Sequence, residues 1–170
     1  MKKELYLAGG CFWGMQAYFE QLQGVLSTTV GYANGLFEDP TYEMVCKGNS
    51  GFAETLYISY DDTIISLDCL LSLYYEVIDP TSLHRQGHDI GTQYRTGIYY
   101  QEEGDKDCIV MSLQELSKQY DKAIVVECLP LKNFYPAEAY HQAYLRKNPG
   151  GYCHISRDKI TQAKTQKVFK

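Results

Sequence analysis

The chain has no run of lysine and arginine long enough to grip a phosphate backbone. Its balance is acidic, with 16 basic against 21 acidic residues and a formal net charge of −5. That argues against nucleic acid and against an anionic membrane surface as partners. No stretch nears the ~20 apolar residues that a bilayer span needs. The opening MKKELYLAGG places two lysines before an apolar patch, but the patch is shorter than a signal peptide's hydrophobic region and Glu4 interrupts it. The expected location is therefore the cytoplasm. None of the six cysteines stands in a CxxC or CxxH spacing, so a structural zinc site has little support. In a reducing compartment these cysteines are thiols by default, and a disulfide is transient and part of chemistry. Neither GxGxxG nor GxxxxGK(S/T) occurs, which removes the common dinucleotide and phosphate loops. Repeats and low-complexity tracts are absent as well.

What is present suits one soluble globular domain: 170 residues, 45% hydrophobic and 22% charged. Sixteen tyrosines stand against a single tryptophan. Tyrosine offers a ring and a hydroxyl donor together, so the excess suits a site that holds a small polar group in an apolar pocket. Strand and surface tyrosines must still account for most of them.

Periodicity gives a coarse map. ELYLAGG reads as a strand closing in a tight turn. Phe12, Met15, Tyr18, Phe19 and Leu22 have helical spacing, with Gly24 as the stop. VLSTTVGYANG and FAETLYISYD read as strands, and SLDCLLSLYYEVID as an amphipathic helix halted by Asp79-Pro80. TQYRTGIYY reads as a strand, EGDKDCIVMSLQELSKQY as a helix, KAIVVECLP as a strand and YPAEAYHQAYLRKN as a short helix. Residues 156–170 are polar and basic and read as a surface tail, after a domain spanning 1–155. Strands and helices alternate, but some connections are too short for crossovers. The expected fold is a compact two-layer α/β domain with a mixed sheet. The stretches 32–55 and 80–94 are weakly periodic loops of the kind that carry function.

Cys11 lies inside GGCFWG. A helix starting at Phe12 puts this thiol at a positive helix end, which favours a thiolate, and the flanking glycines permit close approach. The competing reading is a small packed cysteine. Glu54 shares a strand face with Phe52 and Leu56, so it is half-buried with a raised pKa, unless it reaches solvent at the strand end. GHDIGTQYR packs His88, Asp89, Gln93 and Tyr94 into one glycine-hinged loop, which is either a site or a hydrogen-bonded turn. NPGGYC puts Cys153 on a segment able to swing a second thiol toward the first; otherwise Cys153–His154 is an exposed chance pair. Cys46, Cys69, Cys108 and Cys128 read as packing residues.

With GGCFWG, GYANG…PTYEMVCKGNSGFAE, DPTSLHRQGHDIGTQYRTGIYY and HQAYLRKNPGGYC in view, the chain resembles the peptide methionine sulfoxide reductase A family from Leu5 to Cys153. The fold expectation is then an α/β (α+β) domain with a ferredoxin-like core. The resemblance implies reduction of the S epimer of methionine sulfoxide, free or in proteins. It implies Cys11 as nucleophile, Glu54 as the acid for the sulfoxide oxygen, and Tyr42 and Tyr94 as hydroxyls holding that oxygen. It further implies Phe12 and Trp13 as rings receiving the methyl group, Asp89 and His88 as contacts to substrate, and Cys153 as the resolving thiol that forms a Cys11–Cys153 disulfide. No metal or organic cofactor is implied; an external dithiol such as thioredoxin restores the thiols, and the enzyme acts as a monomer. Two departures stand out. Phe52 replaces a frequent histidine, and His88 a frequent asparagine. No cysteine follows Cys153, so the relay is a single step. A cysteine peroxidase or disulfide oxidoreductase would share Cys11 and Cys153 but has no use for Trp13. A non-enzymatic module would bind oxidised methionine without releasing product.

Overall fold

The computed structural model describes all 170 residues. Strand β1 (Lys2–Gly9) leads through a two-residue turn into α1 (Phe12–Phe19), and β2 (Val25–Ala33) follows. After α2 (Tyr42–Cys46) come β3 (Ala53–Asp61) and α3 (Leu67–Val77). A two-stranded hairpin, β4 (Arg85–Gln86) and β5 (Asp89–Ile90), precedes a 3₁₀ turn at Thr92–Tyr94 and β6 (Thr96–Tyr100). The remainder is α4 (Glu103–Ser117), β7 (Glu127–Pro130), β8 (Phe134–Pro136), a 3₁₀ turn at Ala139–His141, α5 (Tyr144–Lys147) and α6 (Arg157–Ala163).

The six-stranded sheet has the order β7-β6-β1-β3-β2-β8. Its inner four strands run β6-β1-β3-β2 with every neighbour antiparallel, while β7 joins β6 in parallel. Since α1 links β1 to β2 and α3 links β3 to β6, this is the expected ferredoxin-like core in a mixed sheet. Strand alternation sorts the side chains. Leu5, Leu7, Leu56, Ile58 and Ile98 join α1 and α3 in a cluster of 28 buried residues. The opposite face carries a hydrophobic cluster of only five, among them Tyr6, Ala8 and Tyr99, packed against Tyr57, Leu131 and Phe134. Helix α1 is buried on nearly all sides, as befits a segment wedged between the sheet and the C-terminal elements.

Several elements depart from the periodicity. The helix expected across 135–148 is broken. Phe134–Pro136 pairs with β2, and the Gln142 amide then mimics a strand, accepting from Val30 N–H (3.0 Å) and donating to the Val30 (2.8 Å) and Ala137 carbonyls. Ala143 sits at φ 54° and donates its N–H to Gln16 Oε1 (2.8 Å). The strand expected from Thr92 begins only at Thr96, because the Arg95 guanidinium ties the Thr92 and Gly51 carbonyls and Glu127 together. The 122–130 strand shrinks to Glu127–Pro130. Residues 156–170 are not a loose tail. Ser156 caps α6, Ala163 is buried in the core, and the Phe169 carbonyl accepts from Ser66 N–H.

Five tyrosine hydroxyls help hold the fold together. Tyr74 donates to the Ala8 carbonyl (2.6 Å) and accepts from Gly97 N–H (3.2 Å), bridging β1 and β6. Tyr32, Tyr57, Tyr75 and Tyr99 are likewise engaged with Glu138, Glu4, Ser112 and Glu127.

Candidate active site

Cys11 stands at the joint between β1 and α1, in the N-cap position, and is only 6% exposed. The turn requires Gly10 at φ +81°, and a side chain there would run into Gln86. Burial pushes the thiol well up, the nearby Glu54 carboxylate adds to this, and the Trp13 N–H opposes both. The helix end therefore does not leave a thiolate in the free site: desolvation outweighs it.

Glu54 projects from β3 under the start of α1. It is 1% exposed rather than half-buried, and its Oε1 accepts from Phe12 N–H (3.2 Å). Its Oε2 is buried without a partner. Burial is the main cause that raises its pKa to about 8; the Phe12 N–H opposes and Asp89 reinforces it. Glu54 is thus protonated at neutral pH, an acid with one free oxygen.

Tyr42 opens α2 and Tyr94 ends the 3₁₀ turn that Arg95 fixes. Both are half-buried. Burial raises each hydroxyl's pKa, and Glu54 adds to both. Asp89, half-buried on β5, has an unpartnered buried Oδ2, and its pKa is raised by burial while Tyr152 and His88 oppose. The structure therefore brings Cys11, Glu54, Tyr42, Tyr94 and Asp89 into one electrostatically coupled cluster. His88 acts on this cluster only through Asp89. It is exposed at the β4–β5 turn because the short hairpin turns it outward, and no hydrogen bond holds its side chain.

Trp13 is half-exposed, stacks on Tyr144 (3.7 Å between centroids, 11° between planes) and donates its indole N–H to His141 Nδ1 (3.0 Å). Phe12 lies beneath, 1% exposed, with the His141 ring at 5.3 Å. His141 is buried, and its Nε2 has no partner. The Tyr42 ring stands 4.4 Å from it. Phe52 does not reach the cluster as a polar group would; it is buried against Phe37 and Tyr135.

Cys153 lies half-buried between α5 and α6. Its sulfur sits 2.7 Å from where a Gly14 Cβ would stand, one helical turn from Cys11. Both thiols are free. No group of three or more His, Cys, Asp or Glu side chains could hold a metal ion.

His141, Tyr144, Tyr152 and Glu138 escaped the sequence reading. Glu138 accepts from the Tyr32 hydroxyl (2.9 Å) and Tyr42 N–H (3.1 Å) and so locks α2 to the site. The available signal was the aromatic run around Tyr140-His141 inside a segment read as plain helix. Cys46 also differs from expectation. It is exposed, with the Tyr42 hydroxyl close to its thiol.

Residues 3–170 match the family model described as peptide methionine sulfoxide reductase. A protein of Lachnoclostridium phytofermentans named peptide methionine sulfoxide reductase MsrA is 58% identical over 164 residues, covering 96% of this chain and 99% of its own. The reduced form of Mxr1 from Saccharomyces cerevisiae superposes with a TM-score of 0.86 at 38% identity, covering 91% of each chain. Mxr1 in complex with Trx2 is also similar, with a TM-score of 0.60 at 28% identity over 84% of each chain. No helix of the chain is long and apolar enough to cross a membrane.

Proposed function

The chain belongs to the peptide methionine sulfoxide reductase family, and from that premise we propose that Cys11 reduces methionine sulfoxide, free or in proteins, with Glu54 as its proton donor. The observation that carries this reading is a fully buried glutamic acid with one unpartnered oxygen, hydrogen-bonded to the residue after a buried thiol.

A sulfoxide presents a polar oxygen on a sulfur that carries a small methyl group. The Trp13 ring, with Phe12 and His141 behind it, forms an apolar wall for the methyl. Tyr42, Tyr94 and the free oxygen of Glu54 are the donors for the sulfoxide oxygen. Drawing charge onto that oxygen leaves the sulfur electrophilic. Cys11 attacks the sulfur, Glu54 gives its proton to the oxygen and recovers the thiol proton. The hydroxyl then passes from the substrate sulfur to Cys11 as the new S–S bond breaks, so methionine leaves reduced and Cys11 holds the oxygen as sulfenic acid. A ring for the methyl and fixed donors for the oxygen around one thiol favour a single handedness at sulfur, which family membership makes the S epimer. Asp89 and the adjoining Tyr152 border the same site, and His88 stays at the exposed turn beside them.

Cys153 then condenses with the sulfenic acid, forming the disulfide and water. A dithiol protein of the thioredoxin type is the reductant, in keeping with the Trx2 complex of the related yeast protein. This balance needs no metal or organic cofactor, and a cytoplasmic setting suits its reductant.

The test uses the two resolved sulfoxide epimers with dithiothreitol. The S epimer is turned over, the R epimer is not, and Cys11→Ser abolishes the activity. Full activity in Cys11→Ser contradicts the reading.

A further inference from the structure

The recycling half of the cycle has a difficulty. Burial raises the Cys153 pKa above its ordinary value, with Asp89 adding to it, while the Ile155 N–H and Arg157 only partly oppose. At neutral pH Cys153 is therefore a thiol, yet the thiolate is the attacking species. Glu54 cannot take the proton, because it is itself protonated after the first step.

The residue after Cys153 fits the need. The His154 imidazole lies against the Cys11 loop on both sides. Its Nε2 is 3.2 Å from where a Gly10 Cβ would stand, and its Nδ1 is 3.4 Å from where a Gly14 Cβ would stand. The Cys153 sulfur is 2.7 Å from that second point. Both ring nitrogens are buried, and neither has a hydrogen-bond partner; the Gly9 carbonyl lies close without meeting hydrogen-bond geometry. A buried imidazole with nothing to bond is costly unless it has another use.

We propose that His154 accepts the Cys153 thiol proton as Cys153 attacks oxidised Cys11, and returns it to the departing hydroxyl as water. The step balances. The S–S bond forms, the Cys11 S–O bond breaks, Cys153 is oxidised as Cys11 is reduced, and one water leaves. This rests on the Cys11–Cys153 reading above.

The charges around the ring support it. Glu76, Asp79 and Lys159 share an open cavity with His154, Gln86 and Gly87, and Asp89 and Arg157 act on Cys153. None of them offsets the burial that lowers the His154 pKa to about 4, so the ring is neutral over the working range and holds the proton only in passing, on its way to the departing hydroxyl.

The test is a single turnover of the full chain without reductant, following methionine release and disulfide formation separately. Wild type gives a methionine burst and then a Cys11–Cys153 disulfide at a rate that is flat from pH 6 to 8. In His154→Gln the burst is unchanged, but disulfide formation slows about 100-fold, as loss of a general base predicts. It also rises with pH as Cys153 ionises unaided. In His154→Ala, added imidazole restores the rate. A wild-type rate and pH profile in His154→Gln, or no acceleration of His154→Ala by imidazole, overturns the proposal. A wild type that releases methionine without forming the Cys11–Cys153 disulfide instead overturns the cycle on which it rests.

Discussion

Cys11 and Cys153 occupy opposite kinds of surroundings. Cys11 is buried at a joint of strand and helix, with Glu54 locked beside it by a hydrogen bond to the same helix. Cys153 follows a stretch, 146–150, that is exposed throughout, and a side chain at Gly150 would meet nothing within 4 Å. The difference separates two tasks. Attack on a sulfoxide needs donors fixed in advance, and a rigid buried corner supplies them. Disulfide formation and release to a second protein need a thiol that can change position, and sparsely packed chain supplies that.

The largest effect should come from disturbing the rigid corner. Glu54→Gln keeps an acceptor for the Phe12 N–H but removes the acid, and methionine release should slow about 10²- to 10⁴-fold. In wild type that rate should fall as pH rises through about 8. Stability should follow the same group. The unfolded carboxyl titrates near 4.5 and the folded one near 8, so the folded chain holds the extra proton between these values. Wild-type melting temperature should therefore drop relative to Glu54→Gln as pH climbs across that window. Parallel melting curves for the two would contradict it.

A smaller loss is expected from the hydroxyls. Tyr42→Phe and Tyr94→Phe each remove one proposed donor to the oxygen, and methionine release should slow about 10-fold for each and more for the pair. Recycling of Cys11 sulfenic acid should be untouched. Equal slowing of both half-reactions would show that these residues hold the loop rather than the substrate.

The smallest effect tests the loose region. Gly14→Ala places a methyl 2.7 Å from the Cys153 sulfur and should push that segment outward. Thioredoxin-driven turnover should fall several-fold, while the first methionine burst changes little.

Periodicity located what local sequence controls. Parity put Glu54 on the core face of β3, and the helical spacing from Phe12 put Cys11 at a helix start. Ser66 and Asp79-Pro80 bounded α3 correctly within two residues. What stayed hidden depends on contacts far along the chain. Tyr94 leaves its strand because Arg95 bonds Gly51 and Glu127. His141 enters the pocket because Gln142 bonds Val30, more than a hundred residues away. The helix-end argument for a Cys11 thiolate failed because a sequence shows the helix but not the depth of burial.

The division of labour between the two thiols is most directly tested by a single turnover of Cys153→Ser followed by mass spectrometry. The account predicts one methionine released per chain, one oxygen retained on Cys11, and no further cycling with thioredoxin. Continued thioredoxin-driven turnover, or an oxygen found on another cysteine, would contradict it.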